Sequence, residues 1–264
     1  MISPHAIISP QAQLADNVSV GPFSVIGPNV QIGSGTVIGP HVVISGPTVI
    51  GQDNTIFQFA SLGEAPQDLG YKGEPTQLVI GDRNQIRENV TMSRGTVKGG
   101  GVTRVGSDNL IMAYVHIAHD CLVGNKIIFS NAASLAGHVE VQDGATLGGF
   151  TLVHQFCRVG AHAFTSMGSA LNRDLTPFTM ASGNYARAIG INKVGLARKG
   201  YTKEAIDALK KMFRLLVHQR NASPETLAAA QALADQFPEA KQFLNYVKES
   251  KRGVIRTGAT ASGA

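Results

Sequence analysis

Aliphatic side chains recur at every sixth position through the first part of the chain. The series runs through Ile2, Ile8, Leu14, Val20, Ile26, Ile32, Ile38, Ile44, Ile50, Ile56 and Leu62. A small residue usually follows each aliphatic one, and the fifth place of each hexad is usually small or β-branched. A strict period of six fits neither a helix nor a meander, but it is typical of a parallel β-helix with three short strands per triangular coil. The pattern therefore predicts a mainly β fold, a left-handed parallel β-helix with coils of about 18 residues.

The hexad repeat is interrupted twice. It pauses over residues 63–79 and resumes in phase at Ile80, and a second interruption at 97–104 shifts it by one residue. The second block continues through Val105, Ile111, Ile117, Val123, Phe129, Leu135, Val141, Leu147, Val153 and Val159. Both interruptions are predicted to be loops that leave the coils, and such loops often carry binding residues.

The spacing of apolar residues becomes helical after Asn192. Thr202 is a predicted N-cap for a helix over about 203–219. The apolar face of this helix consists of Ile206, Leu209, Phe213 and Leu216. Because proline suits the first helical position, Ser223-Pro224 predicts a second helix, and Phe237-Pro238 separates it from a third.

These patterns divide the chain into three parts. We expect a β-helix over residues 1–192, a small helical domain over 193–256 and a disordered tail over 257–264, where the residues are small and polar.

Composition narrows the class of protein. Of the 264 residues, 43% are hydrophobic, 6% are aromatic and 30 are glycine, a mixture that suits a regular β architecture with many tight corners. The net charge of +5 fits either an anionic partner or a solvated basic surface. The first ten residues do not resemble a signal peptide, and no apolar run approaches the roughly 18 residues of a spanning helix, so a cytoplasmic location is predicted.

Five histidines fall in the second hexad block: His116, His119, His138, His154 and His162. With about 18 residues per coil, His119, Gly137 and Gln155 are predicted to stack in one column. His138 lies one position after this column, His154 one position before it, and His116 on the neighbouring edge. Since coils stack about 4.8 Å apart, these four histidines form one predicted patch. His162 is out of phase and is expected to be an ordinary surface residue.

A histidine patch can bind a metal or transfer protons. Zinc would need three close imidazoles, as in a carbonic-anhydrase-type lyase on the same fold. Cys121 follows His119-Asp120 directly, but its inward-facing hexad place argues against a catalytic thiol. Cys121 and Cys157 lie two coils apart, which is too far for a disulfide.

The hypothesis that we favour is general-base catalysis. An imidazole titrates near neutral pH and can take a proton from a sugar hydroxyl as that oxygen attacks a thioester. Asp120 follows His119 and is a candidate to orient the imidazole ring. The backbone N–H of Gly137, one coil along, is a candidate donor to the developing oxyanion.

The segments around these histidines are distinctive: His116-Ile117-Ala118-His119-Asp120-Cys121, Leu135-Ala136-Gly137-His138-Val139 and Val153-His154-Gln155-Phe156-Cys157. Further motifs are Gln67-Asp68-Leu69, Gly73-Glu74-Pro75-Thr76, Ile86-Arg87-Glu88, Arg94-Gly95-Thr96, Gly183-Asn184 and Gly190-Ile191-Asn192. Together they closely resemble the bacterial UDP-N-acetylglucosamine O-acyltransferases, members of the hexapeptide-repeat transferases. The resemblance covers nearly the whole chain, and its motifs are far more specific than hexads alone.

The resemblance implies transfer of a 3-hydroxyacyl chain from acyl carrier protein to the glucosamine 3-position of UDP-N-acetylglucosamine, the first step of lipid A biosynthesis. It implies a homotrimer whose active sites lie between neighbouring solenoids. It also implies an enzyme that uses no cofactor or metal. It assigns His119 as general base, with Asp120 beside it, and Gly137 as oxyanion donor. The implied substrate contacts are Asp68, His116, His138, His154, Gln155, Asn192 and Arg198. On the helices, Lys210, Lys211 and Arg214 would suit the acidic carrier protein, although a solvated helix face explains them equally well.

Three positions depart from the usual pattern of this family. Ser93 stands where relatives commonly have His, Gly70 where they have Lys, and Val194 where they have an acidic residue. In relatives these positions lie near the nucleotide-sugar site, so a 3-amino sugar stays open as an alternative acceptor.

Met167 stands where some relatives have Gly in the groove that measures acyl length. A bulkier side chain there would shorten the groove, which predicts a medium-length acyl chain. The alternative is that Met167 simply packs between coils.

Two other function classes compete with the transferase hypothesis. One is the zinc lyase, and the other is a non-catalytic scaffold, which would leave the histidine patch and both loops without a purpose. Among transferases, the related N-acyltransferase of the same pathway usually carries an extra N-terminal domain. The hexads begin at Ile2, which argues against that enzyme.

Overall fold

Short strands separated by tight corners make up most of the molecule, whose computed structural model describes residues 1–219 and 223–258. The first strands are β1 (Ile7–Ile8), β2 (Gln13–Leu14), β3 (Ser19–Val20), β4 (Val25–Ile26), β5 (Val30–Ile32), β6 (Val37–Ile38), β7 (Val43–Ile44), β8 (Thr48–Ile50), β9 (Thr55–Ile56), β10 (Ser61–Glu64), β11 (Gln77–Ile80), β12 (Gln85–Ile86) and β13 (Thr91–Ser93). The later strands are β14 (Val102–Val105), β15 (Leu110–Ile111), β16 (His116–Ile117), β17 (Leu122–Val123), β18 (Ile128–Phe129), β19 (Ser134–Leu135), β20 (Glu140–Val141), β21 (Thr146–Leu147), β22 (Leu152–Val153), β23 (Arg158–Val159), β24 (Phe164–Thr165), β25 (Ala170–Leu171), β26 (Thr179–Ser182) and β27 (Arg187–Ile191).

The strands form three sheets, which are the three faces of a triangular prism. Up to β25, every third strand belongs to the same face, so that the first sheet runs from β1 to β25, the second from β2 to β23 and the third from β3 to β24, to which β26 and β27 are added. Each residue pairs in parallel with a residue one coil later, as Ile117 does with Leu135 and Leu135 with Val153. This arrangement confirms the predicted mainly β, left-handed parallel β-helix.

The aliphatic residue of each hexad points into the prism. Ile26, Ile44 and Leu62 are buried one above another, whereas their strand neighbours Val25 and Val43 are exposed. The reason is that successive side chains of a strand point to opposite faces. Burial of this continuous aliphatic stack holds neighbouring coils together.

Both loops leave the prism close to the predicted interruptions, with different bounds. The first lies outside the strands over residues 65–76, and the second over 94–101, where it contains a 3₁₀ turn (Val97–Gly99). Strands extend into the predicted intervals at residues 63–64, 77–79 and 102–104, whereas the second loop begins three residues earlier than predicted because β13 ends at Ser93. β11 pairs with strands on both sides, and β10 continues its pairing with β13 as far as Glu64.

The last coil ends in an element that the repeat does not predict. β26 pairs with β24 in parallel, but β27 then turns back and pairs with β26 in antiparallel fashion. The C-terminal segment returns to this end of the prism, where the Ala188 N–H donates to the Arg256 carbonyl at 3.0 Å. Of the predicted tail, residues 259–264 lie outside the described residues, whereas Thr257 Oγ1 lies 3.1 Å from His218 Nδ1.

The helices follow β27. They are α1 (Lys193–Arg198), α2 (Lys203–Phe213), which continues as a π-helical turn (Arg214–His218), α3 (Pro224–Ala234) and α4 (Pro238–Glu249). Thr202 Oγ1 accepts a hydrogen bond from the Ala205 N–H at 3.2 Å, and Ser223 caps α3 in the same way. Within residues 1–219 and 223–258, none of the helices combines the length and apolar character that a membrane span requires.

Candidate active site

The predicted histidine column lies at the corner between the first and second sheets, which we call the His119 corner (residues 119–120, 137–138 and 155–156). His119 follows β16, and its carbonyl accepts a hydrogen bond from the His138 N–H at 3.0 Å. One coil further, the Gly137 carbonyl accepts from the Phe156 N–H at 3.1 Å. The ladder of coils therefore stacks His119, Gly137 and Gln155 as their spacing predicted.

His119 and Asp120 form a hydrogen-bonded pair. His119 Nδ1 lies 2.8 Å from Asp120 Oδ2, and the two side chains are 14% and 1% exposed. Asp120 also accepts hydrogen bonds from the N–H and the hydroxyl of Thr96, both at 2.7 Å. With Nδ1 facing a carboxylate, the imidazole directs Nε2 away from Asp120, which is the arrangement that orients a general base.

Gly137 allows the imidazole of His119 to lie against the backbone of the next coil. A Cβ atom on Gly137 would lie only 2.5 Å from His119 Cε1. Pro40 holds the same place at another corner, since His41 donates to the Pro22 carbonyl as His138 donates to the His119 carbonyl. The coil thus needs no N–H at this place, and the Gly137 N–H makes no hydrogen bond within the described part of the chain. The assignment of Gly137 as oxyanion donor stays a prediction, which its place next to the imidazole and the unused N–H support.

His138 packs against the pair without joining it. Its ring meets His119 edge-on at 5.1 Å and stacks on Phe156 at 4.4 Å. His138 Nε2 lies 3.7 Å from Asp120 Oδ2, which is beyond hydrogen-bond distance. Nitrogen and oxygen atoms of His119, Asp120 and His138 lie within 4.8 Å of one another. Both Asp120 oxygens already accept hydrogen bonds, and the set offers two imidazoles where the zinc-lyase hypothesis requires three.

A groove begins beside this corner on the outer face of the first sheet. It has a volume of about 470 Å³ and is lined by His116, Ser134, Leu152, His154, Ala170 and Tyr185, among others. His116 Nδ1 lies 2.7 Å from Thr91 Oγ1. Burial lowers the pKa of His116, and the neighbouring charge of His119 lowers it further. His154 is exposed, so the groove is lined by the half-buried imidazole of His116 and the solvent-exposed imidazole of His154.

The structure does not bring Asn192 and Arg198 to the His119 corner of the same chain. Asn192 caps α1 by accepting from the Gly195 N–H at 3.1 Å, and it donates to the His162 carbonyl at 3.3 Å. Arg198 is exposed at the end of α1. His162 follows β23, so both residues lie at the corner between the second and third sheets.

His162 differs from the expectation of an ordinary surface residue. Its ring stacks on Phe178 at 5.8 Å, and Nδ1 lies 3.0 Å from Lys199 Nζ. Burial lowers the pKa of His162, and the charge of Lys199 lowers it further. Out-of-phase spacing correctly separates His162 from the His119 corner, but it does not reveal that α1 docks on it.

The first loop holds Asp68 in a local turn. Asp68 Oδ1 accepts from the Gly70 N–H at 2.6 Å. Lys98 Nζ, from the second loop, lies 3.5 Å from the place that a Cβ of Gly70 would occupy. The Lys98 ammonium therefore lies next to Gly70, where relatives commonly have Lys, although Lys98 comes from another part of the chain. Of the other two positions that depart from the family pattern, Ser93 is buried in β13 and Val194 is exposed on α1.

The basic residues predicted for carrier docking are in or just beyond the last turn of α2. Lys210 pairs with Asp207 at 2.8 Å. Lys211 and Arg214 border a second groove of about 470 Å³, whose apolar lining consists of Leu215, Ala229, Ala232 and Leu233. The pattern of charges predicted neither this groove nor the ion pair.

Two further predictions concern single side chains. Met167 is 76% exposed, so it does not pack between coils. Cys121 is buried, and burial raises the pKa of its thiol to about 12, which keeps it protonated near neutral pH. Both cysteines are free, in agreement with their spacing.

Sequence reasoning missed the residues that support the pair. Thr96 holds the carboxylate of Asp120, Thr103 Oγ1 accepts from the Asp120 N–H at 2.8 Å, and Phe156 covers His138. Phe156 lies one coil after His138, so the hexad spacing could have found it. The two threonines flank a loop whose conformation no periodicity reveals.

Comparisons with known proteins identify relatives of this chain over nearly its whole length. Residues 174–255 match the family model "Udp N-acetylglucosamine O-acyltransferase; Domain 2", and residues 11–46 match the bacterial transferase hexapeptide model. A protein of Thiobacillus denitrificans named acyl-(acyl-carrier-protein)–UDP-N-acetylglucosamine O-acyltransferase is 57% identical over 97% of this chain and 99% of its own length. A protein of the same name from Janthinobacterium is 55% identical over the same shares of both chains.

Solved structures give the same result. LpxA from Acinetobacter baumannii has a TM-score of 0.94 at 43% identity, over 97% of this chain and 99% of its own. The UDP-N-acetylglucosamine acyltransferase of Francisella novicida has a TM-score of 0.94 at 39% identity, over the full length of both chains. These similarities extend over the coils, both loops and the helices, and the chain belongs to the acyl-(acyl-carrier-protein)–UDP-N-acetylglucosamine O-acyltransferase family.

Proposed function

We propose that this chain transfers a 3-hydroxyacyl group from the thioester of acyl carrier protein to the glucosamine 3-position of UDP-N-acetylglucosamine, the first step of lipid A biosynthesis. The observation that carries the proposal is the imidazole of His119, held by Asp120 and packed against Gly137 of the next coil. Family membership supplies the two substrates. We place the reaction in the cytoplasm.

The proposed reaction proceeds in two steps. His119 Nε2 takes the proton of the sugar hydroxyl as the oxygen attacks the thioester carbonyl, and the Gly137 N–H stabilises the oxyanion. The tetrahedral intermediate then expels the carrier thiolate by breaking the C–S bond. The thiolate takes the proton from the imidazolium, so the products are a sugar ester and a free carrier thiol.

The test is an assay of the purified protein with 3-hydroxyacyl carrier protein and UDP-N-acetylglucosamine. We expect one free thiol for each acylated sugar, without added metal and without loss of rate in a chelator. Thioester consumption without acylated sugar would contradict the proposal. Competition between UDP-N-acetylglucosamine and its 3-amino analogue decides the acceptor, which we expect to be the hydroxyl sugar.

We further propose that the active protein is a homotrimer whose sites lie between neighbouring solenoids. The support is that Asn192 and Arg198 lie at a different corner from His119 in one chain, so they can meet it only across an interface. The remaining proposed substrate contacts, Asp68, His116, His138, His154 and Gln155, lie on or near the face that carries the groove.

Mixed assemblies test this arrangement. His119→Ala and Arg198→Ala chains are each expected to have little activity alone. After unfolding and refolding together, a fraction of the sites should contain both native residues and regain activity. Absence of any recovery, with trimers demonstrated by light scattering, would contradict shared sites.

Two finer proposals concern the acyl carrier substrate. Lys210, Lys211 and Arg214 are proposed to dock the acidic carrier protein, so Lys211→Glu should raise KM for the carrier and leave KM for the nucleotide sugar unchanged. Met167 is proposed to limit acyl length, so Met167→Gly should shift the preference toward longer chains. An unchanged carrier KM in the first variant, or an unchanged chain-length profile in the second, would contradict the respective proposal.

A further inference from the structure

The second loop breaks the backbone ladder at one particular residue. At corners further along the prism, the residue with left-handed backbone donates its N–H to a carbonyl of the previous coil, as His138 and Phe156 do. Asp120 has the same left-handed conformation, with a φ of 60°. Its N–H instead donates to Thr103 Oγ1 at 2.8 Å, because the loop occupies the place of the missing coil segment. A threonine side chain thus replaces a backbone acceptor at this corner.

A second threonine, at the start of the loop, holds the carboxylate of Asp120. The Thr96 N–H donates to Oδ1 and its hydroxyl lies 2.7 Å from Oδ2. The same hydroxyl oxygen accepts from the Gly99 N–H at 3.2 Å. Because an ionised carboxylate only accepts hydrogen bonds, the proton of the Thr96 hydroxyl is directed at Asp120. Thr96 and Asp120 are both buried, so this geometry is screened from water.

The loop is fixed at its start by Arg94. One guanidinium nitrogen donates to the Gly46 carbonyl at 3.1 Å, and the other lies 3.1 Å from the Tyr71 hydroxyl in the first loop. Gly99 has no side chain, and a Cβ there would collide with the Asp120 carboxylate. The loop is therefore shaped to bring Thr96 onto Asp120.

We propose that Thr96 and Thr103 are positioning residues for the transfer reaction, which act through Asp120 to hold the His119 imidazole with Nδ1–H toward the carboxylate and Nε2 free. Asp120 Oδ2 accepts one hydrogen bond from Thr96 and one from His119, so the two donors together define a single orientation of the carboxylate. Loss of the Thr96 hydroxyl leaves more of the carboxylate charge directed at His119, which favours the protonated, inactive imidazolium.

The test compares Thr96→Val with Thr96→Ser in the full-length protein. We expect Thr96→Val to lower kcat about tenfold, as losing one hydrogen bond to a charged group does, with KM values changed less than about twofold. The acid limb of the pH profile of kcat/KM should move to higher pH. Thr96→Ser should restore both values, since it keeps the hydroxyl. His116 and His138 also face His119, so all profiles are measured with these two residues unchanged.

Thr36→Val is the matched control. Thr36 is also buried in a coil, and its hydroxyl donates to the Gly51 carbonyl at 3.0 Å, far from the active site in sequence. The Thr36→Val variant should have a lower Tm, but the acid limb of its kcat/KM profile should not move. If Thr96→Val behaves like Thr36→Val, with a lower Tm but an unchanged kcat and acid limb, the loop is merely structural and the proposal is wrong.

A spectroscopic measurement separates this inference from the proposed function on which it rests. In protein with ¹⁵N-labelled histidine, the His119 resonance should report the Nδ1–H tautomer in the wild type and a more basic imidazole in Thr96→Val. This readout requires no substrate. An unchanged His119 titration in Thr96→Val would overturn the inference even if transfer activity is established, and absence of transfer in the wild type would refute the function alone.

Discussion

Two corners of the same solenoid carry columns of aromatic rings, yet the rings make different contacts at the two corners. At the corner between the third and first sheets, which we call the aromatic corner, His5, Phe23, His41 and Phe59 stack at 5.1–5.6 Å in a regular column. At the His119 corner, His138 stacks on Phe156 in the same manner, but His119 meets His138 edge-on and bonds to Asp120.

The difference teaches where chemistry enters a repetitive fold. The hexad repeat alone produces stacked columns, because every coil places its corner residues above those of the previous one. The His119 corner gains a hydrogen-bonded pair where a loop interrupts the ladder and supplies Thr96 and Thr103 as partners for Asp120. The repeat supplies the position of the imidazole, and the interruption supplies its orientation.

The largest expected effect is the loss of the proposed base, His119. His119→Ala should lower kcat by about 10³-fold, within the range of about 10²–10⁴ that a general base contributes. His41→Ala removes the same side chain from the aromatic corner and should change kcat less than about twofold. Both folded variants are assayed side by side, and an equal loss of activity would show that the two corners do not differ in function.

The next effect concerns the glycine on which the imidazole lies. Gly137→Ala places a Cβ 2.5 Å from His119 Cε1, so the ring must move, and kcat should fall about 10²-fold. Gly149 holds the corresponding place in the third-to-first corner, and a Cβ there meets its nearest atom, the Asn131 carbonyl oxygen, at an ordinary 3.4 Å. Gly149→Ala should keep full activity. A fully active Gly137→Ala variant would show that the close packing is irrelevant.

Stability should depend on pH through the half-buried imidazoles. Burial lowers the folded-state pKa of His116 and His162 below the ordinary value of 6.5. The unfolded chain therefore binds more protons, and the free energy of unfolding should fall as the pH decreases from about 6.5 to 5. Urea denaturation across this interval should show a shallower decline in His162→Gln. An equal decline of the free energy of unfolding in His162→Gln would show that His162 does not cause the pH dependence of stability.

The smallest expected effect is at the aromatic corner itself. Phe23→Ala removes two stacking contacts, each worth about 0.5–1.5 kcal/mol, and should lower the free energy of unfolding by about 1–3 kcal/mol. The same variant should transfer acyl groups at the wild-type rate. Reduced transfer in a stably folded Phe23→Ala protein would show that the aromatic corner contributes to the activity.

The sequence was sufficient for features that follow the period. The column of His119, Gly137 and Gln155 is a consequence of constant coil length, and the inward place of Cys121 follows from strand alternation. The contacts made by the loops could not be predicted from the sequence, since Thr96 reaches Asp120 through a turn without periodicity. The antiparallel return of β27 and the docking of α1 on His162 also lie where the hexads have ended.

If His119 is the general base, its protonation should cause the loss of transfer activity at low pH. The most direct measurement is the wild-type pH profile of kcat/KM beside the ¹⁵N titration of His119 under the same conditions. We expect the midpoint of the acid limb to coincide with the His119 titration. A His119 imidazole that stays neutral while activity falls, or a limb that persists unchanged in the residual activity of His119→Ala, would contradict the claim.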